Sequence, residues 1–380
     1  MQMKSNLRFL INPFKTTVLV CFSFFLAPTF MYAQQAYVGM SSPLNTAATD
    51  HPANPMSSEN ENPEADDLHA IVISGGGAFG AWGVGVIEGL SEGKTPRNYS
   101  LCVGTSTGSL MGPLVLLRDF STLKDAYTSV TQKDIFNVNP FKRNGKLRAF
   151  NFGMRAILGK NTVGETDNLR KTIEIFFPQQ DFEKLKQNNL EFAATTVSLT
   201  TGLTHHKSTN DNAYQDMVDW MWTSANQPVF MSLVKKEDQY WGDGGLKELL
   251  PVKYALEKKA RVIDVIVHNT PDFGRSNDWQ PKGILSSLEQ TISIFTEGVG
   301  FSNVTESELD IDATPDLRET ELNFYYMSDG LRSMLPSDLV FDATVMNKLY
   351  EIGLNSVREG SIVKRTYRFN NNGVLTLHQN

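Results

Sequence analysis

Two glycine-rich junctions constrain this chain more than any other feature. The first follows Leu68-His69-Ala70-Ile71-Val72-Ile73-Ser74, a short apolar run rich in β-branched residues. It reads Gly75-Gly76-Gly77-Ala78-Phe79-Gly80 and leads into a helix-like stretch, Ala81 to Leu90. The second follows Tyr99-Ser100-Leu101-Cys102-Val103, reads Gly104-Thr105-Ser106-Thr107-Gly108, and leads into the mostly apolar residues 109–117. Each is a strand, a tight turn and a helix. Buried strands alternating with helices predict the α/β class with a mainly parallel sheet. In such a sheet the ends of neighbouring strands lie side by side, so the two turns are expected to face each other.

The turns differ in the chemistry they can host. A Gly-x-Ser-x-Gly at a strand-to-helix junction can hold a serine in a strained turn with its hydroxyl exposed. An ordinary strand-to-helix loop has the same composition. The first junction places free backbone N–H groups at a helix start, where the helix dipole favours an anion. Its Gly75-x-Gly77-x-x-Gly80 spacing also fits a dinucleotide fingerprint. That fingerprint requires an acid at the end of the second strand, and here the second strand runs into Gly104-Thr105-Ser106. No Lys-Ser/Thr follows the glycines, which excludes a P-loop. An oxyanion hole, or a glycine turn that serves close packing alone, remains.

A serine nucleophile needs a base. His51 falls in a polar linker, His378 in the tail, and His69 at the far end of the first strand. His205 and His206 follow Thr200-Thr201-Gly202-Leu203-Thr204, a hairpin-like turn, and read as solvated. His268 is better placed, at the end of the apolar strand 262–267. Tyr240-Trp241-Gly242-Asp243-Gly244-Gly245-Leu246 offers a carboxylate instead. Aromatic neighbours exclude water, and desolvation makes a carboxylate a better base. A plain Asp-Gly turn has the same local sequence.

The chain has 380 residues and a net charge of −7, which argues against a nucleic-acid binder. Lys4, Arg8 and Lys15 precede an apolar run, residues 16–33, that reads as a secretory signal cleaved after Ala33, so the expected location is periplasmic or secreted. An uncleaved membrane anchor is the competing reading of the same run. Residues 34–67 have the composition of a disordered polar linker. About 310 residues remain, enough for one large α/β domain with additions. Cys21 leaves with the signal and Cys102 is then alone, so no disulfide framework is expected. No cysteine/histidine metal spacing is present.

Taken in order, the glycine loop, the Ser106 turn and Asp243-Gly244-Gly245 resemble the patatin-like phospholipase family of bacterial lipid acyl hydrolases, over roughly Ala70 to Thr270. Three weaker features agree: the strand, Thr-Gly turn and strand of Leu190 to His206; the helix ending in a proline loop at Thr223 to Phe230; and Leu249-Leu250-Pro251-Val252 after the aspartate. The resemblance implies a three-layer α/β sandwich with its catalytic core at 68–275. It implies a Ser–Asp dyad without histidine, with Ser106 as nucleophile and Asp243 as general base. Backbone N–H groups of Gly75, Gly76 and Gly77, with Thr107, would form the oxyanion hole. Gly80, Gly104, Gly108, Gly244 and Gly245 are the remaining motif glycines. Cleavage of carboxylic esters of phospholipids or related lipids through an acyl-enzyme is implied, with no metal or other cofactor, on a lipid met at a membrane or micelle surface. Which protein partners the chain has is not given by the resemblance.

One position departs from the family. Where it usually has Arg or Lys before the last glycine of the loop, this chain has Phe79, which shifts the expectation toward less anionic esters. Residues 276–380 are expected to form a helical extension packing on the core. Within it, Ile284, Leu285, Leu288, Ile292 and Phe295 have the spacing of a core helix, with a lid or membrane-facing role as the alternative. Residues 343–357 read as another helix and 366–380 as a β-leaning tail. Two other readings of the whole stay open: a Ser106-Asp243-His268 triad in the chain order of α/β-hydrolases, and a non-catalytic envelope protein on the same scaffold.

Overall fold

The structure, a computed structural model, describes residues 68–93, 96–273, 280, 284–317, 319–370 and 374–379. The signal-like segment 1–33 and the linker 34–67 lie outside the described residues. The strands are β1 (His69–Ile73), β2 (Leu101–Thr105), β3 (Glu191–Ser198), β4 (Thr204–Ser208), β5 (Val234–Lys236), β6 (Gln239–Asp243), β7 (Val262–Val267), β8 (Glu321–Tyr326), β9 (Val363–Phe369) and β10 (Leu375–Gln379). They form one sheet in the order β10-β9-β8-β7-β1-β2-β3-β6-β5, with β4 also paired to β3. The five central strands, β8, β7, β1, β2 and β3, are parallel. The outer strands pair antiparallel.

The helices are α1 (Gly80–Glu92), α2 (Thr107–Leu116), α3 (Phe120–Thr128), α4 (Gln132–Ile135), α5 (Ala149–Ile157), α6 (Asp167–Phe176), α7 (Gln179–Gln187), α8 (Tyr214–Ser224), α9 (Val252–Glu257), α10 (Ile284–Ala313) and α11 (Ala343–Arg358). The central strands are apolar on both faces because both are covered. Ile71, Ile73 and Cys102 pack with Trp82, Leu114, Leu123, Met221 and Leu349 from α1, α2, α3, α8 and α11. Their neighbours Ala70, Val72, Leu101 and Val103 face the other way, onto Val252 and Leu256 of α9 and Val304 and Ile311 of α10. The result is the expected three-layer α/β architecture. Among the described residues no helix is long and apolar enough to cross a membrane.

The expectation for residues 276–380 needs correcting. They supply α10 and α11, but also β8, β9 and β10, which continue the central sheet. The described residues on either side of 275/276 belong to a single compact unit. The reason is visible on β7. Asp264 is buried in the strand, and Asn323 of β8, in register beside it, donates to its carboxylate at 3.0 Å. Tyr99 adds a second hydrogen bond, 2.8 Å, and the Arg97 guanidinium lies 3.4 Å away. A buried carboxylate without these partners would be costly, so β7 requires β8 beside it. The helix expected around Ile284 to Phe295 is present and runs to Ala313, with Phe295 facing outward and Ile292 half-buried against the core. The side chains of Ile284 and Leu285 lie outside the described residues.

Candidate active site

Ser106 sits between the end of β2 and the start of α2, with φ 54° and ψ −122°. A non-glycine residue there is strained by roughly 1–3 kcal/mol, so the surroundings must hold it. They do so from three sides. Its N–H donates to Ser224 Oγ at 3.0 Å, and Ser224 in turn donates to Thr195 O of β3 at 2.6 Å. Its carbonyl accepts from the Ser109 N–H at 2.9 Å and the Ser109 hydroxyl at 2.6 Å. The helix behind it can press onto β1 because Gly108 has no side chain; a Cβ there would lie 2.1 Å from Ile73 O. Ser106 itself remains half-exposed.

Asp243 ends β6, opposite Thr196 of β3. Its N–H donates to Asn226 O at 2.9 Å, and one carboxylate oxygen accepts from the Gly245 N–H at 2.8 Å. The side chain is 7% exposed. Burial pushes its pKa from 3.8 up to about 7, against hydrogen bonding from the Ser106 side chain and the Gly245 N–H, which favour the anion; the nearby Asp338 charge adds to the rise. The carboxyl is thus poised close to neutrality and within reach of the serine.

The glycine loop faces them from the end of β1. Gly77 has φ 54° and lies so close to Asp338 O that a Cβ would be 2.2 Å away. Among the described residues no acceptor is paired with the N–H groups of Gly76 and Gly77, both half-exposed. Thr107, the first residue of α2, likewise has an N–H with no intrahelical acceptor. Gly75 departs from its expected role: its N–H is directed at Leu249 O, 3.4 Å away, and its missing side chain instead leaves room for Leu249 Cδ1 and Ser106 Cβ. Ala78 N–H is also taken, by Asp338 O at 2.8 Å.

Two spaces open on this arrangement. One is a narrow apolar cavity lined by Ser106, Gly77, Thr107, Leu110, Leu114, Ile173, Phe177 and Met221, among others. The other is a broader cleft on the far side of the glycine loop, lined by Gly75, Gly76, Phe79, His268, Arg332 and Asp338 among others. Among the described residues no cluster of His, Cys, Asp or Glu is placed to hold a metal ion.

His268 is not brought to the serine. Its ring lies against Gly76 and Gly83, where a Cβ would be 2.4 Å from His268 Cβ and 2.2 Å from Nε2 respectively. Nδ1 lies 3.0 Å from Ser74 O, and the Ser74 hydroxyl is already donated to Gly75 O. Nδ1 is therefore the protonated nitrogen, leaving Nε2 buried without a partner. Burial depresses its pKa to about 4. Among the described residues no hydrogen bond or ion pair joins His268 to Ser106 or Asp243. His205 and His206 lie on strand β4 rather than in a turn, with His206 Nε2 3.0 Å from Glu248.

The sequence missed several participants. Ser224 and Asn226 were visible only as a helix end; they hold the backbones of Ser106 and Asp243. Asn226 is itself fixed by the Thr166 hydroxyl. Arg332, from a short helical turn after β8, lies with its guanidinium 5.3 Å from the centre of the Phe79 ring, a cation–π contact. Arg332 thus sets a cation beside the Phe79 ring, 3.7 Å from the Glu297 carboxylate. No local pattern near Arg332 signals this.

Residues 71–256 match the patatin-like phospholipase family. A search of curated proteins finds no match. Among solved structures, VipD from Legionella pneumophila is similar to the chain at 12% identity and a TM-score of 0.38, over 80% of this chain and 68% of that one. The chain therefore carries a patatin-like phospholipase domain over residues 71–256.

Proposed function

We propose that the protein is a serine lipid acyl hydrolase working through Ser106 and Asp243. The observation that carries this is the half-exposed serine at a strained turn beside a buried carboxylate whose pKa is raised to about 7. Asp243 accepts the Ser106 proton as Oγ bonds to the ester carbonyl carbon. The developing oxyanion is held by the N–H groups of Gly76, Gly77 and Thr107. Collapse breaks the carbon–oxygen bond to the alcohol, which leaves with the proton from Asp243. Water, deprotonated by Asp243, then releases the fatty acid and restores Ser106. The apolar cavity takes the acyl chain, and Arg332, stacked on Phe79 and 3.7 Å from Glu297, would turn from that carboxylate to a lipid phosphate in the broader cleft. This favours phospholipids or lysophospholipids over neutral lipids. Residues 1–33 would direct the protein out of the cytoplasm, and the mature chain would start at Gln34.

A fluorophosphonate ester probe tests the chemistry directly. It should label Ser106 in the wild type and label neither Ser106→Ala nor, at a useful rate, Asp243→Asn. Labelling of Ser106→Ala at the wild-type rate would refute the assignment. Arg332→Ala should slow phospholipid hydrolysis at least about tenfold while leaving a neutral short-chain ester unaffected. N-terminal sequencing of protein recovered from outside the cytoplasm tests the export reading.

A further inference from the structure

Residues 141–160 differ from the rest of the surface. They hold Lys142, Arg143, Lys146, Arg148, Arg155 and Lys160 and not one Asp or Glu, in a chain whose net charge is −7. Arg155 is committed to Glu165 at 2.8 Å. The other five are exposed, and among the described residues no carboxylate lies within ion-pair distance of them. Between these cations runs α5, which buries none of its residues. Phe152 packs against the core. Phe150 (79% exposed), Met154 (41%) and Ile157 (75%) point away from it, with Leu158 (65%) just beyond the helix. Positions 150, 154, 157 and 158 share one helical face, so an apolar stripe faces outward and is framed by positive charge.

The segment also borders the candidate site. Phe141, whose carbonyl accepts from Arg148 Nε at 2.9 Å, lines the broad cleft. Gly145 packs against Pro336, another cleft residue, two positions before Asp338 and its contact with the glycine loop.

We propose that residues 141–160 are an interfacial anchor that seats the protein on an anionic lipid surface. The stripe of Phe150, Met154, Ile157 and Leu158 enters the boundary between headgroups and acyl chains, and the flanking cations lie at the level of the phosphates. A second copy of the chain is a poor occupant, since it would bring the same cations face to face. The purpose of the contact, delivery of lipid to the cleft, rests on the acyl-hydrolase reading; the contact itself does not.

The test is co-sedimentation of the full chain with phosphatidylcholine vesicles, with and without phosphatidylglycerol. The wild type should bind the phosphatidylglycerol vesicles more tightly, and less so as salt rises. Phe150→Ser with Ile157→Ser should weaken that binding at least about tenfold. Lys142→Gln, Arg143→Gln and Lys146→Gln together should weaken it by about fivefold per charge. Both variants should hydrolyse a soluble short-chain ester at the wild-type rate. Because the apolar residues 16–33 could hold a full chain to any bilayer, a local readout is added: in a Phe150→Trp variant, brominated acyl chains should quench the new indole beyond the quenching of the wild type. No extra quenching, or unchanged binding in the Phe150→Ser, Ile157→Ser chain, overturns the proposal. So does capture of the segment by an acidic protein with no affinity for vesicles. If the vesicle results hold but no form hydrolyses any ester, the anchor stands and the acyl-hydrolase reading fails.

Discussion

Asp243→Asn should make the protein more stable and inactive, and the stability gain should depend on pH in a calculable way. The folded-state pKa of about 7 lies above the ordinary value of 3.8. Between those values the folded state holds a proton that the unfolded state releases. Stability is therefore full below about pH 4 and falls as pH rises through 7. The gap, at about 1.4 kcal/mol per pH unit, amounts to about 4 kcal/mol by pH 8.5, with under about 2 kcal/mol of it lost by pH 5. Asparagine keeps an oxygen for the Gly245 N–H, can donate to Ser106 Oγ, and does not titrate. Urea unfolding of both proteins at pH 5 and pH 8.5 isolates the effect, because every other titrating group is shared. The variant's advantage should grow by about 2–3 kcal/mol between the two conditions. Wild-type hydrolysis should rise with pH through an inflection near 7, and the variant should show none. Parallel stability curves, or a wild-type rate flat from pH 5.5 to 8.5, would refute the claim that Asp243 is a buried, proton-accepting base.

Further outcomes follow from the same geometry. Ser106→Gly should relieve the strain at φ 54° and raise stability by about 1 kcal/mol in thermal melts, while losing all ester hydrolysis. Ser224→Ala leaves the Ser106 N–H without its acceptor; chemical denaturation should show a loss of about 1–3 kcal/mol, and kcat should fall more than KM rises. His268→Asn, which can still donate to Ser74 O, should keep the kinetic inflection near 7; its disappearance would return the base to histidine. Asp338→Asn removes a negative charge that raises the Asp243 pKa, so the inflection should move to lower pH.

The central sheet and the two turns were legible because their signals are local. A β-branched run, a glycine turn and a helix state their own conformation, and parallel pairing then sets the two turns side by side. Asp243 was legible for the same reason, through its glycines and aromatic neighbours. The partners of these residues were not. Ser224 and Asn226 act through single hydrogen bonds to backbone more than a dozen residues away, and any Ser or Asn at a helix end would look the same. His268 was misleading in the opposite sense. Its strand end is the right edge of the sheet, but the packing of its ring against Gly76 and Gly83 is invisible to sequence position. Of the last three strands only β10 and the end of β9 show in the sequence, as a β-leaning tail; β8, Glu321–Tyr326, is buried almost throughout, alternates little and follows a long helix.

The placement of Asp338 and Arg332 bears on where specificity resides. Both lie beyond the stretch that matches the family, yet Asp338 O closes over the glycine loop and Arg332 rests on its Phe79. The segment carrying them is fixed at both ends, by β8 in the sheet and by α11, whose Asp342 caps its first turn. It cannot drift away from the loop without breaking one of those attachments. Phe79 and the cation at position 332 are in direct contact and are expected to act as a coupled pair. Restoring arginine at position 79 alone should set two guanidinium groups against each other and weaken substrate binding. Phe79→Arg combined with Arg332→Phe should recover it. A double-mutant cycle on phospholipid hydrolysis measures the coupling, and additivity within about 0.5 kcal/mol would show that the two positions act separately.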